Sequence, residues 1–265
     1  MITSTSETRK STAVALVMTA TVKPPADAVA LSRRDPVIRT RDYCEALKHY
    51  LALSSAYVDR IVFIENSGCD LTPFRQLVDD TKHDKKVELI GCNTNDYPGK
   101  YGRAYGEFLL MDYGFSKSRL IGESDVFWKV TGRLRVLNLT HLIETAPPEY
   151  ALYCDLRNVP FVGQRFGGNQ WMEMRLYSCS VSGYNRLFYG RSSDVRRDII
   201  GTPEKYLYRY LRQELSREMI VPRFRIQPSI AGYGAYCDVD YNDFPHRVKD
   251  LVRSVARRVS PWLWL

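Results

Sequence analysis

The sequence predicts an α/β fold in which a mostly parallel central sheet carries helices on both faces. Short apolar runs that suit buried strands alternate with segments whose apolar residues recur at helical spacing, cleanly to about residue 158. The chain of 265 residues, 12% aromatic and 26% charged, is long and mixed enough to bury a real core. No stretch approaches the length needed to span a bilayer.

Each element follows from its residues. Residues 1–11 are rich in Ser and Thr and predict a disordered lead. Ala13 to Val22 reads as a buried first strand. A secretory leader is the competing reading of Arg9-Lys10 and the run behind it, but Thr19 and Thr21 interrupt that run and Lys23-Pro24-Pro25 ends it. Tyr43, Ala46, Leu47, Tyr50 and Leu51 predict a helix over Arg41 to Ser54. Ile61 to Ile64 form a second strand, stopped by Asn66-Ser67-Gly68; a helix over Leu71 to Thr81 and a third strand over Val87 to Cys92 follow. After the turn at Tyr97-Pro98-Gly99, Lys100 to Ser116 is helical, and Asp125 opens the fourth strand. Asn138 is a plausible cap for a helix over Leu137 to Thr145, and Tyr150 to Asp155 is a fifth strand. Met172 to Ser182 suits a strand returning along the sheet. Thr202, Pro203 and Glu204 mark the start of a helix to Arg217.

Bulk properties narrow the chemistry. The 38 Lys and Arg exceed the 30 Asp and Glu, a net charge of +8 that favours an anionic partner. The six cysteines are widely spaced with no C-x-x-C pair, so zinc ribbons and redox motifs are disfavoured and buried free thiols in a reducing compartment are expected. There is no G-x-G-x-x-G after the first strand and no P-loop.

In an open parallel sheet the ligand lies at the carboxyl ends of the strands. Those ends here carry Thr19 and Thr21, Glu65 and Asn66, Asn93 to Asn95, Lys129 and Arg133, and Asp155 with Arg157. The run Ser124 to Arg133 packs an aspartate, a lysine and an arginine around strand formers; it suits an anion site, or an edge strand with solvated charges. Gly99-Lys100-Tyr101-Gly102-Arg103 opens a helix with glycines and cations, the makings of a diphosphate site or of a flexible turn.

These motifs carry a resemblance. The order of buried strand, helix, Ile-Glu-Asn-Ser strand end, Gly-Lys-x-Gly-x-x-x-Gly-Glu helix start and Lys-x-Thr-Gly-Arg resembles GT-A-type bacterial glycosyltransferases of capsule and lipopolysaccharide O-chain synthesis, over roughly residues 12–215. The resemblance implies a Rossmann-related sheet and a nucleotide-sugar donor. It assigns the base and ribose to Thr19, Thr21, Glu65 and Asn66, and the diphosphate to Lys100, Gly102, Lys129, Thr131, Arg133 and Arg157. The family's Asp-x-Asp metal motif has no match at the fourth strand end. Asp125 and Asp155 stand nearby, and Asp238-Val239-Asp240 lies after the long helix. The expectation is transfer with no required cofactor; Mn²⁺ or Mg²⁺ at a degenerate site is the alternative. Asp155, Glu173 and Glu204 are the candidate bases, and Trp171 a candidate acceptor platform.

The domain plan is a single unit over residues 12–245, its nucleotide half at 12–158 and its acceptor half at 159–245, followed by a basic amphipathic tail at 246–265. In the tail Val248, Leu251, Val252, Val255 and Val259 share one helical stripe, arginines lie elsewhere, and Trp262-Leu263-Trp264-Leu265 follow. The tail reads as a membrane-surface anchor, or as a helix docked on the domain. Together these features predict a cytoplasmic enzyme at the inner face of the cell membrane that glycosylates a lipid-linked or polysaccharide acceptor. A nucleotidyltransferase on a similar sheet is the competing enzyme, but it would want a cationic glycine-rich loop directly after the first strand. A nucleic-acid-binding module is disfavoured because basic residues cluster only in the tail.

Overall fold

The computed structural model describes residues 13–28, 31–158, 170–234, 241 and 243–259. The expected lead, Asp238-Val239-Asp240 and the four residues from Trp262 lie outside them. In chain order the elements are β1 (Val14–Ala20), α1 (Pro36–Leu51), β2 (Arg60–Glu65), α2 (Thr72–Asp80), β3 (Lys86–Gly91), α3 (Gly102–Lys117), α4 (Arg119–Gly122), β4 (Val126–Thr131), β5 (Arg135–Val136), α5 (Leu139–Glu144), β6 (Leu152–Tyr153), β7 (Leu156–Asn158), β8 (Gln170–Met172), β9 (Leu176–Ser180), α6 (Val181–Leu187), α7 (Arg197–Ile200), α8 (Pro203–Glu214), β10 (Ile220–Val221), β11 (Ile230–Ala231) and α9 (Phe244–Val259).

The central sheet has seven strands in the order β10-β6-β9-β4-β1-β2-β3. All pair in parallel except β9, which runs antiparallel between β4 and β6. The returning strand expected after Met172 is therefore β9. Its reversal places its first residues at the edge where the parallel strands end.

Alternating side chains along the strands feed two cores. Leu16, Met18, Phe63 and Trp128 pack with Tyr43, Leu47 and Phe74 beneath α1, α2 and α5. Ala15, Val17 and Phe127 pack with Phe108, Met111, Tyr184 and Leu211 beneath α3, α6 and α8. Helices thus cover both faces, as the pattern required, because buried strands read as continuous apolar runs. Among the described residues no helix is long and apolar enough to cross a membrane.

Three local readings are corrected. Helix α1 starts at Pro36, where Asp35 caps it by accepting from the Val37 amide at 2.8 Å, five residues ahead of the expected Arg41. Asn138 does not cap α5; its side chain accepts from the Ser229 amide and donates to the Gln227 carbonyl, tying α5 to the distant β11 loop. Asp125 lies at the amino edge of the sheet, accepting from the Ala13 amide at 3.1 Å, away from the strand ends that form the site.

Candidate functional site

The site begins with the loop after β1. Glu65, at the end of β2, is fully buried, and its carboxylate accepts from the Val22 and Ser67 amides and the Ser67 hydroxyl. Ser67 in turn accepts from the Lys23 amide, and Asn95 donates to the Lys23 carbonyl. The far end of the loop is held by Asp27, which accepts from the Gly99 amide at 2.7 Å. Glu65 therefore shapes the loop with its oxygens already occupied. Thr21 donates to Asn66 Oδ1 at 2.7 Å, which ties together two of the residues the resemblance assigned to base and ribose.

Arginines gather behind this loop. Arg39 of α1 is buried and donates through Nε to the Thr21 carbonyl, and through its terminal nitrogens to the Arg33 carbonyl and the Tyr43 hydroxyl. The same Tyr43 hydroxyl accepts from the Thr21 amide at 2.9 Å. Arg133, just past β4, donates to the Tyr233 carbonyl at 3.0 Å. Burial pulls the Arg133 guanidinium below its ordinary range; hydrogen-bonded Tyr43 opposes that, and the charges of Arg39 and Arg103 add to the lowering. Arg133 thus lies past the carboxyl end of β4 within the field of Arg39 on α1 and Arg103 on α3, which adds to the positive potential there. Gly132 makes the approach possible: a Cβ there would sit 2.7 Å from the Thr19 carbonyl oxygen.

Lys129 differs from both readings of its motif. β4 is a central strand, and the Lys129 side chain has no exposed surface. It pairs with Glu107 of α3 and donates to the Met174 carbonyl at 2.8 Å. Thr19 also donates to Glu107, at 3.3 Å, so Thr19 and Lys129 brace α3 from below. Lys100 is exposed and lies 4.0 Å from Asp198, while Gly102 takes a positive φ of 81° against Arg197. Thr131 ends β4 and donates its amide to the Arg175 carbonyl.

A second ionic cluster lies at the ends of β6 and β7. Asp155 is buried; its oxygens accept from Arg257 of α9 at 2.5 and 3.2 Å and from the Phe224 amide at 3.0 Å. Glu173 pairs with Arg175 at 2.5 Å and with Arg157 at 3.1 Å. Burial works to raise the Glu173 carboxyl, but Arg175 and Arg157 outweigh it and hold it well below the ordinary carboxylate range. A carboxylate held that low is a weak base. Arg157 also stands 5.7 Å over the Trp171 ring, so the expected acceptor platform is engaged by the residue expected at the diphosphate. Glu204 sits in the first turn of α8 and makes no ion pair among the described residues. Of the three candidate bases, two are thus committed to guanidinium partners.

The sequence reading named Arg103 in the glycine-rich helix start and missed Arg39, Glu107, Arg175 and Arg257. Arg39 had a usable signal, since it stands four residues before Tyr43 on one helix face. Arg175 pairs locally with Glu173, two residues away, whereas Glu107 and Arg257 meet Lys129 and Asp155 only through long-range folding.

Among the described residues no group of three His, Cys, Asp or Glu side chains gathers as metal donors would. The acidic residues near the strand ends are already bound to arginines or amides, and they do not fit a divalent cation.

No family model matches the chain, and no curated protein matches it. Similar solved structures include HddC from Yersinia pseudotuberculosis, 13% identical with a TM-score of 0.38 over 90% of this chain and 98% of that one. The inositol-1-phosphate CTP transferase from T. maritima is 14% identical with a TM-score of 0.49, over 95% and 99%. The galactosyltransferase LgtC, in complex with donor and acceptor sugar analogs, is 13% identical with a TM-score of 0.47, over 74% and 70%. Likeness at this level assigns no residue a role.

Proposed function

We propose that this chain is a nucleotide-sugar-dependent glycosyltransferase of bacterial surface glycan synthesis, acting in the cytoplasm on a lipid-linked or polysaccharide acceptor. One observation carries the reading: Arg39, Arg103 and Arg133 converge beside the Thr21–Asn66 loop, at the carboxyl ends of parallel strands. In such a sheet this is where a nucleotide binds.

The chemistry this arrangement suits is stabilisation of a leaving diphosphate. When the sugar–phosphate bond breaks, negative charge grows on the departing oxygen. Guanidiniums already fixed in place stabilise that charge without reorganising, and each offers a planar fork of donors to phosphate oxygens. Arg133 is the residue assigned to that contact. Arg39 positions the loop through the Thr21 carbonyl and adds positive potential. In this reading Thr21 and Asn66, hydrogen-bonded to each other, are assigned to the ribose or base. No step requires a metal ion bound by the described residues.

Nucleotidyl transfer is the competing reaction on such a sheet. It would call for cations in the loop after β1 to hold a triphosphate. That loop offers an exposed Lys23 directly after the strand; its other cations, Arg33 and Arg34, are engaged by Asp42 and by the Pro25 and Ala26 carbonyls.

A thermal-shift screen against UDP, GDP, CMP, CTP and UDP-sugars, each with EDTA and with Mn²⁺, tests the reading. The expected result is stabilisation by a nucleoside diphosphate and its sugar, unchanged by EDTA and lost in a folded Arg133→Ala variant. Stabilisation only by a triphosphate with metal ion would move the assignment to nucleotidyl transfer.

A further inference from the structure

Helix α9 is amphipathic, but its polarity is the reverse of a surface helix on a globular domain. Such a helix normally turns its apolar stripe to the core. Here Asp250, Arg253 and Arg257 face inward. Arg257 is 9% exposed and holds Asp155, the Phe224 carbonyl and Gln227. One turn earlier Arg253 pairs with Asp250, which accepts from Gln227. Burial and the nearby charges of Arg157 and Arg175 draw Arg253 down to about 10, so this face is desolvated against the domain. The opposite face carries Val248, Leu251, Val252, Val255 and Val259 outward; Leu251 is 64% and Val259 69% exposed. At 100° per residue these five side chains form one stripe.

We propose that this outward stripe docks on an anionic lipid surface while the inner face stays latched to Asp155. The charge balance selects the occupant. Beyond Arg253 and Arg257, which face Asp250 and Asp155, the helix segment carries Arg247, Lys249 and Arg258 with no further acid, in a chain of net charge +8. A second copy would bring like charge against like. An anionic bilayer offers apolar depth for the valines and phosphate headgroups for the flanking cations. The sequence beyond the helix, Trp262-Leu263-Trp264-Leu265, has the aromatic and aliphatic character that settles at that depth. Since the apolar face is already turned out, docking needs no release of α9. The helix then joins the carboxyl edge of the sheet to the membrane at a spacing of about one helix diameter, roughly 10 Å. This inference does not depend on the transfer reaction, because vesicle binding is read without substrate.

The test is co-sedimentation of the full chain with vesicles of phosphatidylcholine alone and of phosphatidylcholine mixed with phosphatidylglycerol, alongside the double variant Leu251→Asp, Val255→Asp. Both substituted side chains are exposed, so the fold is retained, and an unchanged melting temperature in the absence of any ligand verifies it. Expected is binding to the anionic vesicles that falls roughly tenfold or more in the variant. Equal partitioning of variant and parent would overturn the lipid assignment, as would a concentration-dependent dimer that the variant dissociates. Amide exchange of bound protein tests the latch, because the Phe224 amide donates to Asp155 and its carbonyl accepts from Arg257. Retained protection there supports a latched helix; loss of protection on vesicle binding would overturn it.

Discussion

Two arginine clusters occupy the same edge of the sheet and differ in one respect, their counter-charges. At β6 and β7, Arg157, Arg175 and Arg257 meet Asp155 and Glu173 at 2.5 to 3.1 Å. At β1 and β4, Arg133 meets a carbonyl and a tyrosine, and it feels two further arginines. The first cluster is an internally neutralised clamp whose energy goes into holding α9 and the β7–β8 hairpin. The second sets Arg133 on uncharged partners, the Tyr233 carbonyl and Tyr43, next to Arg39 and Arg103 and beside the Arg33–Asp42 ion pair. Residue type alone does not separate a structural arginine from a ligand-binding one; the carboxylate opposite it does.

Breaking the clamp should have the largest effect. Arg257→Ala strands a buried carboxylate at Asp155 and should cost about 3–5 kcal/mol of stability, read by urea unfolding. Undiminished stability would show that the cluster is not a clamp.

Arg175→Ala should cost somewhat less, about 3 kcal/mol, because Arg157 still faces Glu173. It should also change the acid limb. The Glu173 pKa is lowered on folding, so its contribution is present above the unfolded value near 4.3 and is lost as pH falls through the lower folded value. Without Arg175 that folded value rises and acid unfolding should begin at higher pH. Superimposable pH-stability curves would deny the coupling.

Arg133→Ala probes the opposite region and should invert the pattern. Stability should change by less than about 1 kcal/mol, while nucleotide diphosphate affinity falls by about 2 kcal/mol, roughly 30-fold, by calorimetric titration. A variant that loses stability but keeps affinity would exchange the roles of the two clusters. The smallest effect is expected from Thr21→Ala, which removes one hydrogen bond to Asn66 and should weaken binding by about 1 kcal/mol.

The same contrast explains what could be read in the chain. The central strands were legible because Ile61 to Ile64 and Val126 to Val130 are β-rich runs bounded by turn residues, a local signal. The start of α1 was missed at Asp35-Pro36 although cap and proline stand side by side. Strand ends correctly collected Thr21, Asn66 and Arg133 at one edge, since topology alone puts them there. Pairing was illegible. Asp155 was weighed against Arg157, two residues away, yet its partner is Arg257, 102 positions along the chain. Lys129 looked like a ligand for an anion, and only the packing of α3 shows that Glu107 already neutralises it. The tail's stripe and its arginines were both visible, but which face would turn inward depends on Asp155 waiting beneath.

The reversed strand β9 has a consequence for how the chain is made. Val130 of β4 pairs with Leu176, 46 positions later. As the chain emerges from its amino terminus, the sheet of β1 to β4 stands with one long flank unpaired until that later segment appears. Open flanks invite pairing with other chains, and a lysine pointing off a strand is a common deterrent. Until Tyr177 takes the position opposite Lys129, β4 offers that open flank, and the interval before β9 emerges is when mispairing has its chance.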